Sequence, residues 1–170
     1  MKYLFILPAS LFCCIAGAAQ TKPLPACTNM KETIAAVKQF LTKLEIYKTK
    51  KTGERYGNIY YETKINFCGQ QGEITENGEK IELEFGFSSY DYKGTVEEFE
   101  ALAAKMYAAV KDVFGKDYED EESMDFEAAI IKSKNFFERE KTFYTSKTTI
   151  RIVTFIDESY SADLRFEFRK

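Results

Sequence analysis

The chain has 170 residues and no histidine. That removes the commonest general base and the commonest transition-metal ligand. Of its four cysteines, Cys13 and Cys14 sit in an apolar N-terminal run, which leaves Cys27 and Cys68. A single pair in an exported chain reads as one disulfide, and its wide spacing is not the Cys-x-x-Cys of a redox couple. Closing a loop of that size contributes roughly 4 kcal/mol through the entropy it removes from the unfolded chain. With both thiols bonded, Ser-His-Asp and Cys-His sites are excluded and a zinc site is not expected. No glycine-rich phosphate loop or dinucleotide fingerprint is present. The expectation is therefore no catalytic residues, no metal and no cofactor.

The chemistry that remains belongs to carboxylates. Glu62, Glu82 and Glu84 alternate with apolar residues, as do Lys64, Arg151, Arg165 and Arg169. A hydrolase working with acids alone is one reading of that set. A solvated sheet face with cross-strand ion pairs is the other, and alternating charge is what a half-exposed sheet shows. Two charge runs stand apart. Lys48 to Gly57 is basic and reads as a solvated connection. Asp117 to Asp125 carries six acids but has Glu122 where a calcium loop needs glycine, so it reads as an acidic loop capping a following helix.

The elements that position these residues carry clear signals. Thr95-Val96-Glu97-Glu98 is a capping box, and Phe99, Leu102, Ala103, Met106, Val110 and Val113 follow at helical spacing. Gly115 then stands where a left-handed helix end is wanted. An earlier stripe, Met30, Ile34, Val37, Leu41 and Leu44, predicts a helix from Met30 to Tyr47, with Asn29 and Glu32 as its cap. Period-two alternation marks strands at Ile59–Phe67, Ile81–Phe87 and Ala162–Phe168, with a β-branched strand at Thr148–Ile156. Asn77-Gly78 signals a tight hairpin setting Ile74 opposite Ile81, with a bulge at Gly69 or Gly72 to keep the apolar residues on one face. Phe126 to Glu138 fits a third, short helix, while Ala128-Ala129-Ile130-Ile131 within it would also tolerate a strand; Phe143-Tyr144 reads as a short edge strand or the entry to the next one.

The order α-β-β-α-(α)-β-β predicts an α+β two-layer sandwich: a mainly antiparallel sheet of about four to five strands, with two long helices on one face. Residues 1–19, with Lys2, an apolar run and a small-residue exit, read as a secretory signal peptide. Residues 20–28 are then a leader and 29–170 one domain. An alternative is lipid anchoring through Cys13 or Cys14. Loss of the signal removes Lys2 and no acid, which makes a chain of formal charge −3 slightly more acidic still. That gives no electrostatic footprint for nucleic acid, and no stretch is long and apolar enough for a membrane span.

The expected protein is an exported bacterial domain, periplasmic or secreted, that acts by binding. Its partner, a protein or a small ligand, would meet the sheet face that the helices leave open. That face is expected to carry Tyr60, Glu62, Lys64, Glu82, Glu84, Arg151, Val153, Phe155, Arg165 and Glu167. Among them Tyr60, Val153 and Phe155 are the candidate anchors, apolar or aromatic groups set among charges.

Overall fold

The structure is a computed structural model, and it describes residues 22–115, 118–124, 137–156 and 159–170. The expected signal peptide, and the expected third helix as far as residue 136, lie outside the described residues.

Among the described residues, eight strands form one antiparallel sheet. They are β2 (Lys48–Arg55), β3 (Asn58–Phe67), β4 (Gln70–Glu76), β5 (Lys80–Ser88), β7 (Glu119–Met124), β8 (Phe137–Tyr144), β9 (Thr148–Ile156) and β10 (Tyr160–Arg169). Their spatial order is β2-β3-β4-β5-β10-β9-β8-β7. A second, two-stranded sheet pairs β1 (Lys22–Pro23) in parallel with β6 (Tyr92–Lys93). The described helices are α1 (Met30–Phe40), followed by a 3-10 segment at Leu41–Tyr47, and α2 (Val96–Phe114).

The expected two-layer α+β sandwich with two long helices is therefore wrong: the described chain is mostly β. Two causes are visible. The stretch Met30–Tyr47 is not one helix, because Lys43 leaves helical geometry (φ −127°) and the end tightens to 3-10. Asn29 makes no side-chain cap, and Thr33 instead donates its hydroxyl to the Asn29 carbonyl. In addition, both charge runs are strands. The basic run is β2 at one sheet edge, and the acidic run is β7 at the other. Neither has an apolar alternation to betray it, because an edge strand can be held by main-chain pairing alone. Phe143 and Tyr144 end β8, which lies one strand in from that edge.

Helix α2 forms as its sequence dictates. Glu98 N–H reaches the Thr95 hydroxyl and Thr95 N–H donates to the Glu98 carboxylate (2.8 Å). Phe99, Leu102, Ala103, Met106, Val110 and Phe114 are buried. Phe114 rather than Val113 completes the stripe, and Gly115 ends the helix with right-handed geometry (φ −59°).

One face of the sheet supplies the rest of the core. Ile74, Ile81, Leu83, Phe85 and Phe87 meet Ala162, Leu164, Phe166, Ile150, Ile152 and Phe143 beneath the two helices. Phe67 packs on Phe85 and Phe87, with centroids 5.3 and 6.2 Å away, and Phe114 lies 6.3 Å from Phe166.

The hairpins show how parity is kept. Arg55 pairs with Asn58 and Phe67 with Gln70, so each turn has two residues. Both turns, Tyr56-Gly57 and Cys68-Gly69, have positive φ at both positions, the geometry whose twist matches the right-handed twist of the paired strands in a two-residue hairpin. Such a turn pairs an odd residue with an even one, so the switch from Phe67 to Ile74 needs no extra residue. A register shift does occur, inside β3 between Glu62 and Asn66. At Asn77 the side chain accepts from Glu79 and Lys80 N–H, and the register sets Ile74 opposite Leu83 rather than Ile81. That is two residues from expectation but on the same face.

The disulfide forms between Cys27 and Cys68, with Cα atoms 4.7 Å apart. It fastens the start of α1 to the β3–β4 turn. Among the described residues no helix is long and apolar enough to cross a membrane.

Gly72 is required by packing. A Cβ there would lie 2.8 Å from both Leu83 Cδ1 and Phe85 Cε1. Gly72→Ala is expected to lower stability by about 1–3 kcal/mol, the range for overpacking a filled core. An unchanged denaturant midpoint would contradict this close approach.

Candidate functional site

The face opposite the helices is built by the same registers. Glu84 pairs with Arg165 and Arg165 with Arg151; Glu82 pairs with Glu167 and Glu167 with Thr149. Outward on β5 and β4 the rows continue to Glu73 and Thr75, then to Glu62 and Tyr60 on β3. Each row crosses the sheet because antiparallel neighbours hold opposing side chains on one face.

Two clusters organise this surface. In the first, Arg165 Nη2 lies 3.1 Å from the Glu84 carboxylate and 3.2 Å from that of Asp163. Arg165 Nε is buried without a hydrogen-bond partner among the described residues. Burial pushes the Glu84 carboxyl up from the usual range; Arg165 opposes this, while Asp163, Glu82 and Glu73 add to it. Burial likewise pushes the Asp163 carboxyl up, against the pull of Arg165. Burial also works against the charge of Arg165, but Glu84, Asp163 and Glu82 outweigh it and hold the guanidinium protonated. Several acids share one cation, so the cation stays charged and the acids are crowded.

In the second cluster the proportions are reversed. The Glu167 side chain is 4% exposed, with Lys80 Nζ at 2.7 Å, Arg169 Nε at 3.5 Å and Arg151 Nη2 at 3.7 Å. Burial works against its charge, but Lys80, Arg151 and Arg169 outweigh it and hold its carboxyl below the usual range.

Three shallow depressions adjoin these clusters. One of about 200 Å³ is lined by Tyr60, Thr75 and Lys80 with Glu82, Glu84 and two asparagines. A second, of about 380 Å³, lies over Lys80, Arg151, Glu167 and Arg169. A third, of about 340 Å³, adds hydroxyls from Thr142, Tyr144, Thr145, Ser146 and Thr149 to Arg151 and Arg169. Shared side chains join them into one strip along the end of the sheet that holds the β4–β5 and β8–β9 turns.

The candidate anchors are not brought together. Tyr60 is on β3 and lines the first depression, whereas Val153 and Phe155 are on β9, four strands away. At the usual strand spacing that is roughly 19 Å. Val153 and Phe155 also lie toward the other end of the sheet, opposite Asp163 and Ser161. Val153 is 5% exposed and Phe155 is half-buried. Tyr60, Glu62, Glu82, Glu84, Arg151, Val153, Phe155, Arg165 and Glu167 do share the expected face by register. Lys64 instead lines a groove beside α1. The hydroxyl group around Ser146 escaped sequence reasoning; the signal was the Thr/Ser-rich stretch from Thr145 to Thr149, bounding a turn. Among the described residues no cluster of His, Cys, Asp or Glu could hold a metal ion.

Compared with known proteins, the chain matches no family model, no curated protein and no solved structure.

The two clusters have opposite linkage to pH. Glu84 and Asp163 bind protons more readily folded than unfolded. Their effect is to raise stability as pH falls from neutral through their elevated pKa values toward the ordinary range near about 4. Glu167 contributes stability that is present above that range and lost as pH falls through its lowered pKa. The thermal midpoint is therefore expected to peak in mild acid and fall below it. Glu84→Gln should raise the midpoint at neutral pH and flatten the rise. A midpoint that drops steadily from pH 7 to pH 5 in the parent protein would contradict this reading.

Proposed function

We propose that the protein is an exported binding module of the bacterial cell envelope, periplasmic or secreted, that meets its partner on the open sheet face without catalysis. The observation that carries this is the continuous strip of three depressions, floored by Lys80, Arg151, Glu167 and Arg169 and edged by hydroxyl, amide and carboxylate groups. The two described helices pack on the other face. A floor of fixed opposite charges suits a polar or charged partner, protein or small ligand, better than an apolar one. Export is supported by the Cys27–Cys68 disulfide, since such bonds persist in oxidising compartments.

A second reading, hydrolysis by acids alone, draws on the raised Glu84 carboxyl, because a protonated acid near neutral pH is what general acid catalysis needs. Its partner Asp163 is pushed the same way, however, and acid–base pairs work when their environments push the two apart. Turnover abolished by Glu84→Gln would favour this second reading over the first.

The binding reading is tested by photo-crosslinking in the producing cell. A photoreactive residue placed at Tyr60, Thr75 or Thr142 should yield adducts that Arg151→Glu removes. One placed at Glu97, Lys105 or Asp112, on the outside of α2, should yield none. Adducts from the helix positions alone would contradict the assignment of the partner to the open face.

A further inference from the structure

A groove of about 440 Å³ lies between α1 and the far end of β3. Its helix wall is a stripe at helical spacing: Thr33, Ala36, Val37 and Phe40. Phe40 and Tyr47 also line it, with ring centroids 4.2 Å apart. Its other wall is β3 from Lys64 to Asn66. Here β2 has already ended, since its last partner on β3 is Thr63. Among the described residues, Lys64–Asn66 is thus a piece of sheet edge with no strand paired to it on that side.

Three built features frame this groove. The disulfide ties Cys27, just before α1, to Cys68, just after β3, and so holds both walls at one end. The 3-10 segment replaces the last turns of α1 and brings Tyr47 back against Phe40. The register shift in β3 is stabilised by side chains: Gln71 Nε2 donates to the Thr63 carbonyl (2.7 Å), and the Thr63 hydroxyl accepts from Ile65 N–H (3.3 Å). Bulges recur where a sheet edge is re-aimed beside a site.

The two stretches of edge are treated differently. Outer strand β2 carries Lys48, Lys50, Lys51 and Arg55, the charged residues that discourage strand addition. The Lys64–Asn66 edge has one lysine and an apolar groove next to it. Lys64 has no ion-pair partner among the described residues. Asn66 accepts from Gly69 N–H through its side-chain oxygen (2.9 Å), which leaves its amide N–H groups as donors without a partner among those residues. Glu32 is the one acid in the lining, and it belongs to the first turn of α1, where the helix N-terminus favours negative charge.

We propose that this groove binds an extended apolar peptide that adds to the β3 edge as a short strand and sets its C-terminal carboxylate at Lys64. Main-chain hydrogen bonds to Lys64–Asn66 supply affinity, and alternate side chains packing on Ala36, Val37 and Phe40 supply selectivity. The groove lies on the helix side of the sheet, so this site is independent of the open face.

The test titrates N-acetylated tetravaline with a free C-terminal carboxylate into the ¹⁵N-labelled protein. Saturable shifts are expected at the amides of Lys64–Phe67 and along residues 33–40. The C-terminal amide of the same peptide should bind at least about threefold more weakly, a difference that Lys64→Met should abolish. A version methylated at alternate backbone nitrogens should not bind, and Ala36→Trp, which fills the groove from an exposed helix position, should prevent binding of all three. Equal binding of the methylated peptide, equal binding of acid and amide, shifts elsewhere or none, or tighter binding of decanoate at the same amides would each overturn the proposal.

Discussion

The pairing of β5 with β10 is the contact on which the rest of the sheet depends. It joins β2-β3-β4-β5, from the first half of the chain, to β10-β9-β8-β7, from the second, and it is the one strand pairing between those halves among the described residues. Its register runs without a break from Ser161 opposite Ser88 to Arg169 opposite Lys80. That register puts Leu83, Phe85 and Phe87 with Ala162, Leu164 and Phe166 on the helix side, and Glu82 and Glu84 with Arg165 and Glu167 on the other. A slip of one residue would exchange the two faces of one half. It would bury charges under α2 and expose the phenylalanines, which is why the alternation on both strands is so strict.

The open face follows from that seam. Arg165 and Glu167 alternate along β10 with core residues, so each is held at a strand spacing set by packing on the far side of the sheet. The charge pattern is rigid for the same reason: the hub at Glu167 is buried by its neighbours and cannot move without moving Phe166. The edges are managed separately. Basic β2 and acidic β7 close the two sides of the sheet, with the short Lys64–Asn66 opening where β2 stops before β3 does.

Much of this was legible in the residues, wherever a local signal decided the outcome. The Thr95–Glu98 capping box formed as written, and the Cys27–Cys68 bond formed. The alternating strands put nearly all the expected charged residues on one face. What was hidden lacked a local signal. The strands β2 and β7 have no apolar face, and their main-chain pairing leaves no mark in a lysine- or glutamate-rich run. The break at Lys43 lies within an unbroken apolar stripe, because Leu41 and Leu44 are buried in 3-10 geometry as well as they would be in α. The partner of β5 could not be read at all, since more than seventy residues separate the paired strands. For the same reason the alternation assigns Tyr60, Val153 and Phe155 to one face but says nothing of the strand order, which sets Tyr60 four strands from the other two.

Amide hydrogen exchange tests the central role of this seam most directly. If the β5–β10 pairing holds the two halves together, the ladder amides of Leu83–Phe87 and Leu164–Phe168 should fall in the slowest class. They should exchange only through global unfolding, with the same denaturant dependence in both strands. If the two halves instead open as separate units, with the seam amides exchanging faster than the interior of either half, the claim is contradicted.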